Sequence, residues 1–341
     1  MLDLVALSAL DCGSAVAGVI SSFSNHGAFS FGTKLARNRA TEELYGLPNT
    51  PTPFGTICQT KRLEGSKGPL DVFHVNPQAF LYFMIHNIPE FCSYLLVCQA
   101  RNEAGYLTIV LYLDEATPGN QNRPDRGRAS QCIYWSLLEF DSWFRSRDCG
   151  WLPFTYVFVT DQKKAGVSDS VLIVFTLDQF WNEDCPDFDF VILTPCGRQL
   201  RFNAKLVVAD WPALKKVFSL KGHNGHVCCH HCINVLGHCD YFEDSHLFHF
   251  LSTEYSKFIK HTTETILRQV TKVETTAMNS PGDLKKIEMS TGFVYSPSDL
   301  MWNGRARSRL QLPHAAYTDW QHTIVASGGV GQYHLQQLVY I

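Results

Sequence analysis

Several features that would narrow the function are missing from this sequence. It has no uncharged apolar stretch of the roughly 18 or more residues that a membrane-spanning helix requires, so we expect no membrane span. It has no excess of basic residues either, because 29 lysines and arginines stand against 32 aspartates and glutamates, with a formal net charge of -3. The overall charge gives no sign of nucleic-acid binding, and any such function depends on local patches.

The N-terminal stretch is apolar, but it lacks the basic residues that open a secretory signal peptide. It also carries Asp3 and Asp11, and we therefore expect no signal peptide. The composition is otherwise that of a globular protein, 45% hydrophobic and 13% aromatic. A chain of 341 residues can bury one large core or two smaller ones.

Cysteine is abundant but unevenly distributed. Eight of the twelve cysteines are scattered along the chain, and four lie close together: Cys228, Cys229, Cys232 and Cys239. Scattered cysteines are typical of reduced, partly buried thiols, so we expect an intracellular protein. Cys229 and Cys232 have the Cys-x-x-Cys spacing of half a zinc site, and a redox pair is the alternative.

The residue pattern predicts four regions: 1–95, 96–239, 240–312 and 313–341. The first has a predicted short helix around Lys34–Tyr45 and no recognisable chemistry. The third is predicted to be a mainly helical insertion. The fourth is predicted to return the chain to the core, and to be cut short.

Strands and helices alternate in the second region. Three predicted strands (Leu107–Leu113, Cys132–Phe140, Phe154–Thr160) precede a helix with a serine N-cap (Ser168–Trp181), then a hairpin (Phe188–Leu193, Leu200–Ala209) and a second helix (Trp211–Phe218). This order predicts an α/β protein with a ribonuclease H-like mixed sheet, whose first and fourth strands lie side by side. Asp114 and Asp210, which end those strands, would then face each other and could bridge two Mg²⁺ ions.

Both aspartates also have an ordinary structural interpretation. Asp114 precedes turn residues at 118–120, where aspartate is common, and Asp210 precedes Pro212, as a helix N-cap would. Glu115 would point away from Asp114 on a strand, and we interpret it as structural. Capping and metal binding are compatible for Asp210.

Four motifs in this order resemble the transposases of CACTA (En/Spm-type) DNA transposons. They are Leu113-Asp114-Glu115 with Pro118-Gly119-Asn120, Asp210-Trp211-Pro212-Ala213-Leu214-Lys215-Lys216, Gly222-His223-Asn224-Gly225 with Cys229-x-x-Cys232, and Asp319-Trp320-Gln321-His322. The spacing from Asp210 to Cys229 is also similar to that of the catalytic core of the RAG recombinase. The resemblance covers about residues 100–341.

The resemblance implies a nuclear enzyme that cleaves and joins DNA at transposon ends and target sites. Asp114 and Asp210 would be the first two acids of a DDE/D site that binds catalytic Mg²⁺ or Mn²⁺. Cys229 and Cys232 would hold a structural Zn²⁺ together with His322. Other residues compete for the remaining zinc positions: His238, Cys239, Cys228, Asp319 and His314.

The sequence departs from this family at the third acid, a glutamate expected downstream of His322. The last glutamate is Glu288, and only Asp299 and Asp319 follow it among the acids. We expect the third acid to lie beyond Ile341, to be lost, or to be replaced by Asp319. An incomplete or inactive copy is therefore the favoured interpretation.

Two alternatives stay open: a non-catalytic, zinc-stabilised relic that binds DNA or protein, and a ribonuclease H-like hydrolase unrelated to transposition. The candidate DNA-binding residues are Lys215, Lys216 and Lys221, in a basic neighbourhood for which a solvated face is an equal explanation.

A homo-oligomer is an open alternative for the assembly. His261, like His246 and His249, is interpreted as a surface or helix-face histidine. The aromatic residues of the strands are interpreted as core.

Overall fold

The computed structural model describes residues 49–319, except 118, 121–122, 125–128, 147–149, 186, 223–224, 226, 228, 234–235, 239–247 and 251–254. The predicted helix at Lys34–Tyr45 and the predicted ligand His322 lie outside the described residues. Over these residues the chain divides into two compact units. Unit 1 comprises 49–167 and 175–206, and unit 2 comprises 168–174 and 207–319.

Most of the strands belong to unit 1. In chain order they are β1 (Pro51–Thr52), β2 (Gly55–Thr56), β3 (Cys58–Glu64), β4 (Pro69–Val75), β5 (Leu107–Ala116), β6 (Gly119–Asn120), β7 (Arg123–Pro124), β8 (Ser130–Leu137), β9 (Leu152–Phe158), β10 (Phe190–Leu193), β11 (Gln199–Ala209), β12 (Leu236–His238), β13 (Phe248–Phe250) and β14 (Ala316–Thr318). Three small antiparallel pairs are formed by β1 with β2, β6 with β7, and β12 with β13.

The helices are spread over both units. They are α1 (Pro77–Asn87), α2 (Pro89–Arg101), α3 (Ser142–Arg145), α4 (Val159–Ala165), α5 (Asp169–Phe180), α6 (Trp211–Val217), α7 (Thr263–Asn279), α8 (Leu284–Thr291) and α9 (Gly304–Arg309). Short 3-10 turns occupy Tyr255–Lys257, Pro281–Asp283 and Leu300–Trp302. No single helix in the described ranges is long and apolar enough to cross a membrane, although α1 and α2 pass that test as a pair bent by 113°.

The large sheet has the strand order β10-β11-β5-β8-β9-β4-β3. β3 pairs with β4, β4 with β9, β9 with β8, β8 with β5 and β10 with β11, all antiparallel. In unit 2 the last residues of β11, Val207–Ala209, pair in parallel with β14, which makes the sheet mixed. The predicted α/β class with a mixed sheet is confirmed.

Aromatic residues fill the core of unit 1. Trp135 and Phe180 are fully buried and meet edge to face, with ring centroids 5.4 Å apart. Phe190 and Phe202 stack across the β10–β11 hairpin at 4.5 Å. Such pairs add stabilisation beyond the apolar area they bury. The interpretation of the strand aromatics as core is confirmed for Trp135, which has no exposed surface.

Several predicted boundaries need correction. The second predicted strand ends at Leu137 and not at Phe140, and the third ends at Phe158, after which α4 begins. In the insertion, α7, α8 and α9 agree with the helical prediction, whereas β13 is a strand because it pairs with β12.

A buried polar network joins the segments of unit 2. The hydroxyls of Ser168 and Ser219 donate to the two carboxylate oxygens of Asp299, at 2.7 and 2.9 Å. The Ser168 hydroxyl also accepts from the backbone N–H of Val171, which confirms its prediction as the N-cap of α5. Asp299 is 7% exposed, so its charge is satisfied inside the fold. This aspartate is a structural residue.

Candidate functional site

Two aspartates end neighbouring parallel strands in unit 2. Ala209 of β11 pairs with Thr318 of β14, and the next residues along the two strands are Asp210 and Asp319. The backbone N–H of Asp319 donates to the carbonyl of Ala209 at 2.9 Å, which continues the ladder to the strand ends. Neighbouring strands lie about 4.8 Å apart, so both carboxylates leave the backbone from adjacent positions. Both residues are half-buried.

Asp210 is also the N-cap of α6. Its Oδ1 accepts a hydrogen bond from the backbone N–H of Ala213 at 2.7 Å, and Pro212 occupies the first turn. The capping interpretation is therefore confirmed. The other carboxylate oxygen, Oδ2, has no hydrogen bond or ion pair within the described ranges, and it can still bind a cation.

Asp114 belongs to unit 1, where it pairs with Cys132 across β5 and β8. The prediction that β5 ends at Asp114 is wrong, because the antiparallel pairing continues to Ala116. Its carboxylate accepts from the N–H of Glu115 at 2.8 Å and from the Tyr112 hydroxyl at 3.5 Å. These contacts fix the orientation of a half-buried carboxylate.

The Cys-x-x-Cys segment of unit 2 is held by a second stretch of chain. Cys232 forms an antiparallel bridge with Lys260, flanked by the hydrogen bond from His261 N–H to the His231 carbonyl. The Sγ of Cys229 accepts from the backbone N–H of His231 at 3.4 Å. Burial and the adjacent Cys229 thiol both raise the pKa of Cys232, so the two sulfurs are neighbours.

Histidines surround this segment. His230 is 4% exposed, stacks on Trp211 with ring centroids 5.2 Å apart, and lies 3.9 Å from the ring of His231. Burial, and then the charge of His231, lower the pKa of His230 to about 3. Neither ring nitrogen of His230 forms a well-aligned hydrogen bond among the described residues, although the Ala316 backbone is close enough to oppose the lowering of the pKa. A neutral imidazole is the form that binds a metal ion.

His261 is buried as well, and its prediction as a surface histidine is wrong. It is 4% exposed, its Nδ1 lies 3.1 Å from the Thr265 hydroxyl, and it lines a small cavity with Cys229 and His230. Burial and His231 lower its pKa. Sequence reasoning missed His261 because it is brought to Cys232 by the 259–261 pairing, which has no local signature.

The two cysteines and the histidines around them fit a zinc site only in part. The two thiols are adjacent, and the exposed His314 is close enough to lower the pKa of His231 after burial does. No group of three or more His, Cys, Asp or Glu side chains among the described residues is arranged to hold a metal ion. The predicted ligand His322 and the competitors Cys228 and Cys239 lie outside those residues. The zinc assignment therefore stays a prediction.

Two of the three predicted DNA-binding lysines form ion pairs within unit 2. Lys221 Nζ lies 3.3 Å from Glu288 Oε2, with both side chains largely buried. Lys216 Nζ lies 3.6 Å from a carboxylate oxygen of Asp169, which is 7% exposed. These ion pairs neutralise part of the charge that the sequence assigned to a DNA-binding surface.

No protein-family model matches this chain, and no curated protein matches it either. Its function must therefore be argued from the geometry of its own residues.

Proposed function

We propose that this chain is a transposase-like protein of the DDE/D type, which uses divalent metal ions to cleave and join DNA strands. The observation that carries the proposal is the parallel pairing of β14 with β11, because it makes Asp210 and Asp319 neighbours at the strand ends. Strand ends in α/β sheets are common positions for catalytic and metal-binding residues.

The strand order supports a ribonuclease H-like core. β5 lies between β8 and β11, and β9 follows on the far side of β8. The first predicted strand is thus a neighbour of the fourth, as that fold requires. β14 pairs in parallel with the last three residues of β11.

The metal-binding residues that the family resemblance implies are Asp114, Asp210 and Asp319. Asp210 and Asp319 are neighbours within unit 2, and Asp114 belongs to unit 1. Mg²⁺ or Mn²⁺, when bound, would activate the attacking oxygen and stabilise the leaving oxygen of the phosphodiester. The chain itself contributes oriented carboxylates: the Ala213 N–H fixes Asp210, and the Glu115 N–H fixes Asp114. Ligands held in this way bind a cation with less loss of side-chain freedom.

The last glutamate of the sequence does not supply the third acid in this proposal. Glu288 is ion-paired with Lys221 and accepts a hydrogen bond from the backbone N–H of Tyr295 at 2.9 Å. Those contacts make it part of the packing of unit 2, and in this proposal the third position falls to Asp319.

A structural zinc ion is the second part of the proposal, with Cys229, Cys232 and His322 as ligands. The adjacency of the two thiols and the N–H···S bond to Cys229 support it. Zinc would deprotonate both thiols and so offset the raised pKa of Cys232. His230 and His261, both beside Cys229, are alternatives for the histidine ligand.

The non-catalytic relic is the second candidate function. It is favoured by the capping role of Asp210 and the structural role of Glu288, since both acids are explained without catalysis. In that case the protein retains zinc and binds DNA without cutting it.

Nicking of supercoiled plasmid in Mg²⁺ or Mn²⁺ tests the proposal. We expect the wild-type protein to nick, and Asp210→Asn and Asp319→Asn to lose activity. Asparagine is also a good N-cap, so Asp210→Asn removes the charge without removing the cap. Asp283→Asn, on the exposed surface of unit 2, is the matched control. Nicking by both site variants at the wild-type rate would contradict the assignment, and an inactive wild type would favour the relic.

A further inference from the structure

The ring of His230 contacts both chain segments that carry the acid pair of unit 2. It stacks on Trp211, the residue after Asp210, with ring centroids 5.2 Å apart and an interplanar angle of 20°. Burial lowers the pKa of the ring, and the backbone of Ala316, the first residue of β14, is close enough to oppose that lowering. His230 therefore lies against the start of α6, beside Asp210, and against the strand that leads to Asp319.

β14 needs this kind of packing because its own pairing is short. The strand has three residues, and it is held to β11 at both ends by backbone hydrogen bonds of 2.7 and 2.9 Å, from Val207 N–H to the Ala315 carbonyl and from Asp319 N–H to the Ala209 carbonyl. Two paired strands are marginally stable unless one of their faces is packed. Helix α6 packs beside β14, and the ring of His230, only 4% exposed, belongs to that packed layer.

The same ring belongs to the Cys-x-x-Cys segment. His230 directly follows Cys229, its ring centroid lies 3.9 Å from that of His231, and it lines a small cavity together with Cys229 and His261. Neither ring nitrogen makes a well-aligned hydrogen bond among the described residues, so packing is what fixes the ring. This packing connects the thiol pair to the acid pair.

We propose that His230 is a positioning residue: by packing on Trp211 and on the start of β14, it sets the separation of the two aspartates. The inference rests on the proposed function, in which Asp210 and Asp319 bind a divalent cation. Residues that orient metal ligands without touching the metal commonly weaken its binding roughly 10- to 100-fold when they are replaced. The Cys-x-x-Cys segment then supports the divalent-cation site, whichever histidine completes its own zinc site.

Isothermal titration of Mn²⁺ into protein purified with Zn²⁺ tests this inference. His230→Ala removes the ring, and His230→Phe keeps a ring of similar size on Trp211. We expect His230→Ala to bind Mn²⁺ about tenfold more weakly, and His230→Phe to bind it nearly as well as the wild type. His74→Ala is the matched control, because His74 is a similarly buried histidine in unit 1. The control should lose stability and keep the wild-type Mn²⁺ affinity.

A double-mutant cycle shows whether the stacked rings act together. Trp211→Ala removes the partner ring from a half-buried position and should also weaken Mn²⁺ binding. The double variant should bind Mn²⁺ no more weakly than His230→Ala alone, because the two residues act through one contact. Should His230→Ala fail to fold, the comparison of Trp211→Ala with Trp211→Phe decides in the same way.

Three results overturn the inference: wild-type Mn²⁺ affinity in folded ring-deleted variants, additive losses in the double variant, and loss of zinc from His230→Phe, which would make His230 a zinc ligand. If any of them occurs while Asp210→Asn and Asp319→Asn still weaken Mn²⁺ binding, the proposed function stands without this positioning role. A wild-type protein that binds no Mn²⁺ contradicts both.

Discussion

Units 1 and 2 each bury a histidine, and the surroundings of the two rings differ. In unit 1, His74 meets the edge of Phe175 at 5.0 Å inside an aromatic core, and burial is the main cause that lowers its pKa to about 4. In unit 2, His230 stacks on Trp211 and touches His231, whose charge adds to the effect of burial. Burial lowers the pKa of both rings, and an ionisable neighbour lowers each further: Lys61 for His74, and the contacting ring of His231 for His230. The difference lies in the second imidazole that His230 contacts.

The thiols of the two units differ in the kind of group beside them. Burial is the main cause that raises the pKa of Cys98 in unit 1 to about 11, and its ionisable neighbours Tyr94, Asp141, Arg101 and Glu139 include no thiol. Cys232 in unit 2 has its pKa raised by burial and by a second thiol, Cys229. One thiol fills space in a core, whereas the other belongs to the pair that would hold the proposed zinc ion.

The largest expected effect is a loss of stability in unit 2, and the same cysteine-to-serine substitution in unit 1 serves for comparison. Cys232→Ser should lower the free energy of unfolding by more than about 5 kcal/mol, because it removes a proposed zinc ligand on which unit 2 depends. Cys98→Ser should cost only about 1 to 3 kcal/mol, the penalty for placing a hydroxyl in an apolar core. Urea unfolding, with zinc content measured by elemental analysis, checks both.

The distinction between the two thiols would be wrong if both serine variants lost the same free energy of unfolding and the wild-type protein bound no zinc. The Cys-x-x-Cys element would then be a pair of packed thiols.

A core substitution in unit 1 should have a smaller effect on stability and none on the two proposed metal sites of unit 2. Phe180 is fully buried against Trp135, Phe154 and Phe190. Phe180→Ala should lower the free energy of unfolding by about 3 to 5 kcal/mol through the cavity it leaves. Zinc content and divalent-cation affinity should stay at wild-type values below the melting temperature, and a loss of zinc in this folded variant would count against a self-contained site in unit 2.

The smallest predicted effect is a pH dependence from His74. Its folded pKa is about 4 against 6.5 for the unperturbed group, so the neutral form is favoured in the fold. The neutral His74 ring therefore contributes to the free energy of unfolding, fully above pH 6.5 and less and less as the pH falls toward 4. We expect the free energy of unfolding to fall by about 2 kcal/mol between pH 7 and pH 5 from this residue.

His74→Gln should flatten that dependence while keeping a hydrogen-bonding group opposite Gln179. Chemical unfolding at pH 7 and pH 5 measures it, and identical pH slopes for variant and wild type would refute a buried neutral His74.

Local signals predicted the central strands well. The apolar run of β5, the β10–β11 hairpin with its turn at 195–197, and the Asp210 cap of α6 were all correct, because each depends on neighbouring residues. The alternation of strand and helix gave the α/β class for the same reason.

Elements that depend on distant partners were not predictable. β14 has three residues and is a strand only because it pairs with Val207–Ala209, so the adjacency of Asp210 and Asp319 left no trace in the local pattern. The burial of His261 depends in the same way on the pairing of 259–261 with the Cys-x-x-Cys segment. The ion pair of Lys221 with Glu288 joins residues far apart in the chain, which is why a basic surface was predicted there.

The central claim is that Asp210 and Asp319 together bind a divalent cation. Isothermal titration of Mn²⁺ into the zinc-loaded protein tests it directly, with Asp210→Asn, Asp319→Asn and the surface control Asp283→Asn. The account predicts one Mn²⁺ site that weakens by at least about tenfold, or 1.4 kcal/mol, in each site variant and is unchanged in the control. Mn²⁺ affinity that is the same in all four proteins would contradict it.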